Sequence, residues 1–187
     1  MKKTAIVSDS MCRSIRVRDF NEQLDSNIDH VIINKYPAAH ANQIHHYSDY
    51  TLDNEKPDSI IVMAGTNDVA YDSANGKQAD PENIACRIID IGRNAKENGV
   101  NRVFINGLIQ RKGNFYNNII NRVNLYLRNK CCGENFYFID NSDIQISDLC
   151  DGLHLNDEGN TKFMRNLLMC CDSYNPYLLP DVDCFNE

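Results

Sequence analysis

Three short stretches of the sequence carry side chains that together could catalyse acyl transfer. Ser10 follows an apolar run, Asn67 stands in a Gly-Thr-Asn-Asp sequence, and His154 comes three residues after Asp151. A serine hydroxyl becomes an effective nucleophile when an imidazole accepts its proton, and the imidazole needs a carboxylate to fix its tautomer. The developing oxyanion also needs preorganised hydrogen-bond donors. The residue types therefore indicate the parts of an acyl-transfer site.

Each stretch also has an ordinary structural explanation. Ser10 and Asp9 could cap a helix, a common role for these residue types after a strand. The Gly-Thr-Asn-Asp sequence could be a simple turn, because Gly and Asn tolerate positive φ. Asp151 and His154 could belong to another turn ahead of a helix cap at Asn156. The chemical interpretation therefore depends on whether the fold brings the three stretches together.

The elements that would position these side chains follow from apolar patterning. Short β-branched and apolar runs predict strands at 4–7, 30–34, 59–64, 102–106 and 135–139. Apolar residues at helical spacing predict helices at 39–50, 81–98, 114–130 and 156–171. The strongest helix prediction is 81–98, with Asp80 as N-cap, Pro81 as its first residue and Gly99 as its stop.

Apolar strands that alternate with helices are typical of a parallel sheet covered on both faces. The fold class is therefore predicted to be α/β, with three α/β/α layers in a single domain, 1–187. In such sheets, ligands bind beyond the carboxyl ends of the strands. Ser10, Asn67 and the loop 140–154 all follow predicted strands, so we expect them at one edge of the sheet.

Composition excludes several other classes of protein. The chain has 187 residues, of which 42% are hydrophobic and 24% charged, as in a soluble globular domain. Its net charge of -7 argues against non-specific binding to nucleic acid. There is no apolar window long enough for a membrane span or a secretory signal, so we expect a cytoplasmic protein or one domain of a larger protein. The eight cysteines lack the spacing of zinc ligands, and we expect buried or incidental thiols.

At the stretches described above the sequence resembles the SGNH hydrolases, also called the GDSL family of esterases and acylhydrolases. Ser8-Asp9-Ser10 stands where the family usually has Gly-Asp-Ser, the Gly-Thr-Asn-Asp sequence matches Gly-x-Asn-Asp, and Asp151 to His154 matches Asp-x-x-His. The resemblance spans nearly the whole chain. It implies the SGNH hydrolase fold, with a flavodoxin-like five-stranded parallel sheet, and a triad of Ser10, His154 and Asp151.

The family's second block is matched less well. Tyr36-Pro37-Ala38-Ala39-His40 stands where many relatives have Pro-Gly-Ala-Thr, which puts Ala38 at the glycine position of the oxyanion hole. The resemblance implies that the backbone N–H groups of Ser10 and Ala38 and the side-chain amide of Asn67 form this hole. If the φ of Ala38 is positive, alanine costs roughly 1 kcal/mol and could tilt its N–H. Ser8 in place of glycine either crowds the turn or is accommodated.

The resemblance implies a serine esterase that works through an acyl-enzyme and requires no metal or organic cofactor. The segments 70–78 and 111–114 are polar, so no long apolar lid is expected. We therefore favour a short acyl group, acetyl above all, on a small molecule or on a carbohydrate or lipid-linked carrier. Gly65 and His40 are candidate substrate-binding residues, although His40, His45 and His46 could instead lie on a helix surface.

A function of another class stays open: an SGNH-like module without catalytic activity that binds RNA or protein. The two departures from the family motifs favour it, as does a cluster of basic residues, Arg13, Arg16 and Arg18. The four retained candidate catalytic side chains count against it, because a binding module has no chemical need for them.

Overall fold

Five parallel strands form the central sheet of the computed structural model, which describes residues 1–74 and 79–174. The strands are β1 (Lys2–Ser8), β2 (Asp29–Lys35), β3 (Ser59–Met63), β4 (Arg102–Asn106) and β5 (Tyr137–Ile139). Their order is β2-β1-β3-β4-β5, and every neighbouring pair is parallel. The predicted α/β class, its flavodoxin-like sheet and all five strands are confirmed, and the strand order reverses between β1 and β3.

Helices cover both faces of the sheet. They are α1 (Val17–Asn21), α2 (Ala41–Glu55), α3 (Thr66–Ala74), α4 (Pro81–Glu97), α5 (Asn114–Glu134) and α6 (Asp157–Leu168), with short 3₁₀ helices at Ser10–Cys12 and Ile146–Asp148. The four predicted helices correspond to α2, α4, α5 and α6. In the described part of the chain, no helix is long and apolar enough to cross a membrane.

Two elements differ from the sequence predictions. The five-residue helix α1 was not predicted, because it is too short to show an apolar repeat. The Gly-Thr-Asn-Asp sequence does not end in a simple turn, because α3 begins at its Thr66. The polar segment 70–78 therefore lies partly in α3, and its residues 75–78 lie outside the described residues.

Two apolar clusters sandwich the sheet. Ala5 and Val7 of β1 pack with the cluster that includes α2, α4 and α5, whereas Ile6 packs with the cluster that includes α1 and α6. In β3, Ile60 and Ile61 divide in the same way between the two clusters. Side chains alternate across a strand, so a strand that is buried on both faces must be apolar at successive positions. This explains the near-continuous apolar runs in the sequence.

N-caps fix the beginnings of the two helices for which such caps were predicted. The Asp80 carboxylate accepts hydrogen bonds from the backbone N–H groups of Glu82 at 3.0 Å and Asn83 at 3.4 Å, at the start of α4. The Asn156 side chain accepts one from the N–H of Gly159 at 2.9 Å, at the start of α6. Both predicted caps are confirmed. The second cap joins α6 directly to the loop that carries Asp151 and His154.

The cysteines of the described residues are seven free thiols, and Cys184 lies outside those residues. Cys12 follows the candidate nucleophile and is completely buried, with its Sγ atom 3.1 Å from Met63 Sδ. Burial raises the pKa of the Cys12 thiol to about 12. This thiol is therefore protonated at neutral pH and serves as a small packed side chain.

Candidate active site

Ser10 opens the 3₁₀ helix that follows β1, and Asp9 holds that turn in place. The backbone N–H of Asp9 donates to the carbonyl oxygen of Met63 at the end of β3, at 3.0 Å. Its carboxylate accepts a hydrogen bond from the N–H of Met11, also at 3.0 Å. Asp9 is therefore the capping residue, and Ser10 is partly exposed. Among the backbone groups of residues 1–74 and 79–174 and the side chains of residues 1–70 and 79–174, the Ser10 hydroxyl has no hydrogen-bond partner.

Ser8 is accommodated in the turn rather than crowding it. Its side chain is completely buried, and its hydroxyl donates to the carbonyl oxygen of Asp9 at 3.0 Å. The same hydroxyl accepts a hydrogen bond from the N–H of Cys12 at 3.3 Å. The serine that replaces the family's glycine thus bonds both ends of the turn that presents Ser10.

Ala38 has a positive φ, the case for which the sequence analysis expects a cost to alanine. The N–H of Ala39 donates to the carbonyl oxygen of Tyr36 at 3.1 Å, which closes a turn with Pro37 and Ala38 at its centre. The φ of Ala38 is 63°, a value that favours glycine at this place in a turn. Alanine costs about 1 kcal/mol here. A second bond, from the N–H of Tyr36 to the carbonyl oxygen of Ser8 at 2.7 Å, ties this turn to the end of β1.

Asn67 lies in the first turn of α3, next to this second block. Its side-chain amide donates a hydrogen bond to the carbonyl oxygen of Ala39 at 3.0 Å. Since an amide NH₂ has two hydrogens, one remains to donate to a ligand. Gly65 precedes the helix with a φ of 107°, and a Cβ there would lie 2.8 Å from Ile88 Cδ1. Only glycine fits this close turn without a shift of its neighbours.

Asp68 joins α3 to the start of α2. This carboxylate is 2% exposed, and it accepts a hydrogen bond from the N–H of Ala41 at 2.9 Å. Arg87 Nη1 lies 3.4 Å from Asp68 Oδ1. His40 Nδ1 lies 3.8 Å from Asp68 Oδ2, the oxygen that accepts the bond from Ala41. The backbone N–H of His40 donates to the Gln43 side chain at the beginning of α2. The structure thus brings His40 and Gly65 to the sheet edge that carries Ser10.

Asp151 and His154 form a pair that orients the imidazole. His154 Nδ1 lies 2.7 Å from Asp151 Oδ2, while Asp151 Oδ1 accepts hydrogen bonds from the N–H groups of Leu153 and His154. The side-chain bond to His154 is the main reason that the pKa of Asp151 is well below its usual range. Asp151 is therefore ionised, and the proton on Nδ1 leaves Nε2 as the acceptor. Among the described residues, Nε2 has no hydrogen-bond partner.

The first three blocks are joined to one another by direct hydrogen bonds, whereas the Asp151–His154 loop is not. In the described part of the chain, no hydrogen bond connects the Ser10 hydroxyl with the His154 imidazole. Catalytic hydrogen bonds are often long in the absence of substrate. The arrangement still leaves a free hydroxyl and a free imidazole nitrogen, both in segments that follow strands at the same edge of the sheet.

Two neighbouring cations, to which the sequence analysis gave no role, connect this loop with α3. Arg111 Nη2 donates to the carbonyl oxygen of Thr66 at 3.2 Å. The backbone N–H of Lys112 donates to the carbonyl oxygen of Gly152 at 2.7 Å. Both cations follow β4 at the carboxyl edge of the sheet, and this position was their only signal in the sequence.

The candidate site lies open to solvent. The side chain of His154 is 29% exposed and that of Asp151 is 54% exposed. A cavity of about 690 Å³ lies between α5 and the loop after β5, and another of about 660 Å³ lies between α1 and α6. Ser10, Asn67 and His154 line neither of these two cavities. The surroundings therefore suit a ligand that reaches the edge of the sheet from solvent.

Asp9 combines burial with a negative charge. The residue is 1% exposed, and burial raises the pKa of its carboxyl to about 6. The backbone N–H groups of Met11 and Thr66 act in the opposite direction, and the charge of Asp68 adds to the increase. At neutral pH Asp9 is therefore mostly ionised at a cost to the folded state.

The cost of ionising buried Asp9 predicts how the free energy of unfolding depends on pH. Because the pKa of Asp9 is higher in the folded than in the unfolded chain, its stabilising contribution is present at low pH and is lost as pH rises towards about 6. Relative to Asp9→Asn, the wild type should lose about 2 kcal/mol of unfolding free energy between about pH 4.5 and about pH 7. Urea unfolding of both proteins across this range measures the difference. A difference that stays constant with pH would contradict the raised pKa.

The motif blocks all follow strands at the carboxyl edge of the sheet. A comparison with known families agrees with these motifs. The model of the GDSL-like lipase/acylhydrolase family matches residues 3–167. The chain belongs to this family. The predicted family is thus confirmed, and membership supports the prediction of an ester hydrolase.

Solved structures share the fold of this GDSL-like protein. An acetyl xylan esterase has a TM-score of 0.76 at 16% identity, with 90% of this chain and 98% of that chain covered. A catalytic mutant of an acetylxylan esterase from Geobacillus stearothermophilus has a TM-score of 0.77 at 12% identity, covering 90% and 93%. A GDSL-like lipase from Bacteroides thetaiotaomicron has 0.71 at 16%, covering 90% and 87%. No curated protein sequence matches the chain significantly.

Proposed function

We propose that the protein is a serine esterase that hydrolyses short-chain acyl esters, preferably acetyl esters, through an acyl-enzyme. The observation that carries the proposal is the bond between Asp151 and His154 Nδ1, which leaves Nε2 free to accept a proton. A GDSL-like acylhydrolase needs such a base for its serine, and Ser10 has a hydroxyl that no described residue engages. Together these groups supply the nucleophile, the base and the carboxylate of a triad.

The reaction begins when Ser10 Oγ attacks the ester carbonyl carbon and His154 Nε2 takes the hydroxyl proton. Asp151 stabilises the imidazolium that results. The tetrahedral intermediate collapses as the imidazolium gives its proton to the departing alcohol, which leaves the acyl group on Ser10. His154 then takes a proton from a water molecule that attacks the acyl-enzyme, and collapse returns the proton to Ser10 and releases the acid.

The oxyanion is held by three donors in this mechanism. The backbone N–H groups of Ser10 and Ala38 have no acceptor among the described residues, so both can donate to a ligand. The Asn67 amide uses one hydrogen for the carbonyl oxygen of Ala39, which orients its second hydrogen. The left-handed φ of Ala38 is a local strain of the kind that occurs at ligand-binding turns.

The preference for a short acyl group follows from the surroundings of the triad. The site is open, and neither of the two cavities adjoins Ser10 to receive a long acyl chain. Two of the structural relatives are acetylxylan esterases, which supports acetyl as the acyl group and a carbohydrate as the carrier. A polar carrier of this kind fits an open site better than bulk lipid does.

Hydrolysis of p-nitrophenyl acetate, butyrate and octanoate by the purified protein tests the proposal, with Ser10→Ala as the background. We expect kcat/KM to be highest for acetate and to fall with chain length. Release of acetate from acetylated xylo-oligosaccharides then tests the carrier. Activity that rises with chain length would contradict the acetyl preference, and the absence of Ser10-dependent turnover on every ester would contradict the esterase.

Asn67→Ala tests the oxyanion hole separately. Loss of one preorganised donor typically lowers kcat by about 10²- to 10³-fold, because the donor acts on charge that develops in the transition state. We therefore expect a loss of this size with little change in KM for p-nitrophenyl acetate. Asn42→Ala, at an exposed position of α2, is the matched control and should retain full activity. Equal kcat values for Asn67→Ala and the wild type would remove Asn67 from the site.

A further inference from the structure

Arg111 is a buried cation without an ion-pair partner among the described residues. It is 8% exposed, and its side chain contacts the Thr66 carbonyl oxygen and the Tyr116 ring, whose centroid lies 4.8 Å from the guanidinium carbon. Its Nε atom is buried and has no hydrogen-bond partner. Burial also lowers the pKa of Arg111 from its usual value. Buried cations are normally paired with anions, so this arrangement favours an anionic partner from outside the chain.

Asp9 compensates this cation only in part. Its charge acts favourably on Arg111, but the two side chains form no ion pair. The pKa of the Asp9 carboxyl is still raised to about 6, with burial as the largest cause. Attraction without direct contact therefore offsets only part of the desolvation cost of the two buried groups.

Lys112 places a second cation beside the first, on the side of the catalytic loop. It is exposed, and its ammonium makes no ion pair with the described side chains, which are those of residues 1–70 and 79–174. Its aliphatic stem lies against Gly152, whose backbone accepts the Lys112 N–H. Arg111 thus contacts the residue before Asn67, while Lys112 contacts the residue after Asp151. Neither cation has an ion-pair partner among the described side chains, so both can attract an anionic ligand to the candidate site.

We propose that Arg111 and Lys112 bind an anionic group carried by the ester substrate, either a carboxylate or a phosphate. This inference rests on the proposed function and adds the charge class of the substrate. The terminal nitrogens of a guanidinium can donate parallel hydrogen bonds to two oxygens of such a group, and a lysine ammonium adds a mobile charge. The two cations bind and orient the substrate, and the ester is cleaved by the same acyl-enzyme steps.

Equilibrium binding tests the site without requiring turnover. Isothermal titration of Ser10→Ala with succinate and with inorganic phosphate compares the two sources of negative charge, and succinamide is the neutral control. We expect one of the anions, but not succinamide, to bind. Adding Arg111→Met should weaken this binding about tenfold or more, and Arg122→Met, at an exposed position of α5, should leave it unchanged. Lys112→Met changes an exposed residue and tests the site even if the Arg111 variant unfolds.

The proposal is overturned if neither anion binds, or if binding survives both Arg111→Met and Lys112→Met. Because these binding measurements do not involve catalysis, their outcome does not depend on whether the protein is an esterase. Kinetics then separate binding from a structural role of Arg111. Arg111→Met should lower kcat/KM for p-nitrophenyl hemisuccinate or for 4-acetoxyphenyl phosphate about tenfold more than for p-nitrophenyl acetate, whereas Arg111→Lys should restore part of the difference. An equal loss on charged and neutral esters would show that Arg111 only holds Thr66, and would overturn the proposal.

Discussion

Ser10→Ala should lower kcat for p-nitrophenyl acetate by about 10⁵-fold or more. The expectation follows from the covalent step, because alanine has no atom that can form the acyl bond. The fold should be unaffected, since the Ser10 hydroxyl makes no hydrogen bond with any described residue. Steady-state kinetics and urea unfolding of the variant and the wild type measure the two effects.

Ser14→Ala is the matched control for this substitution. Ser14 is exposed and lies just beyond the 3₁₀ helix that Ser10 opens. We expect this control to keep wild-type activity. If Ser10→Ala also remained active on acetate, the nucleophile would have to be another group, and the assignment of the triad would fail with it.

Asp151→Asn should lower kcat by about 10⁴-fold while leaving the loop intact. The asparagine oxygen can still accept the N–H groups of Leu153 and His154, which now bond Asp151 Oδ1. Its amide, however, would donate to His154 Nδ1 and force the ring proton onto Nε2, where it blocks proton transfer from Ser10. Stopped-flow or steady-state kinetics of the variant measure the loss.

The control for this second prediction is Asp157→Asn. Asp157 is exposed in the first turn of α6 and carries the same charge close to the same loop. Full activity of Asp157→Asn beside the loss in Asp151→Asn would separate the specific bond to His154 from a general effect of charge. Equal activity of the two variants would mean that Asp151 does not orient the imidazole.

The sequence predicted most of the fold because its signals are local. Apolar runs located all five strands, and Asp80 and Asn156 located the beginnings of α4 and α6. The start of α3 was not predicted, because Gly65 and Asn67 are typical of turns. That helix is instead held by contacts with residues distant in sequence, such as the bond from the N–H of Ala41 to the buried Asp68 carboxylate. Contacts between segments far apart in sequence leave no local pattern.

In the candidate site, too, the sequence showed which residues are present but not the long-range contacts they make. The sequence identified Ser8 and Ala38 as departures from the family motifs, but their consequences depend on backbone geometry and packing. Ser8 proves to be hydrogen-bonded within the turn, whereas Ala38 has the strained φ of 63°. Neither departure removes a proposed oxyanion donor, so neither by itself favours a module without catalytic activity. For Arg111, the residue type was visible but its burial was not.

Labelling with a fluorophosphonate, followed by peptide mass spectrometry, tests most directly whether Ser10 is an activated nucleophile. Such reagents react with serines whose proton is removed by a neighbouring base. We expect a single adduct on the peptide that contains Ser10, no adduct in Ser10→Ala, and slower labelling in Asp151→Asn. An unlabelled wild-type protein, or an adduct on another residue, would contradict the account.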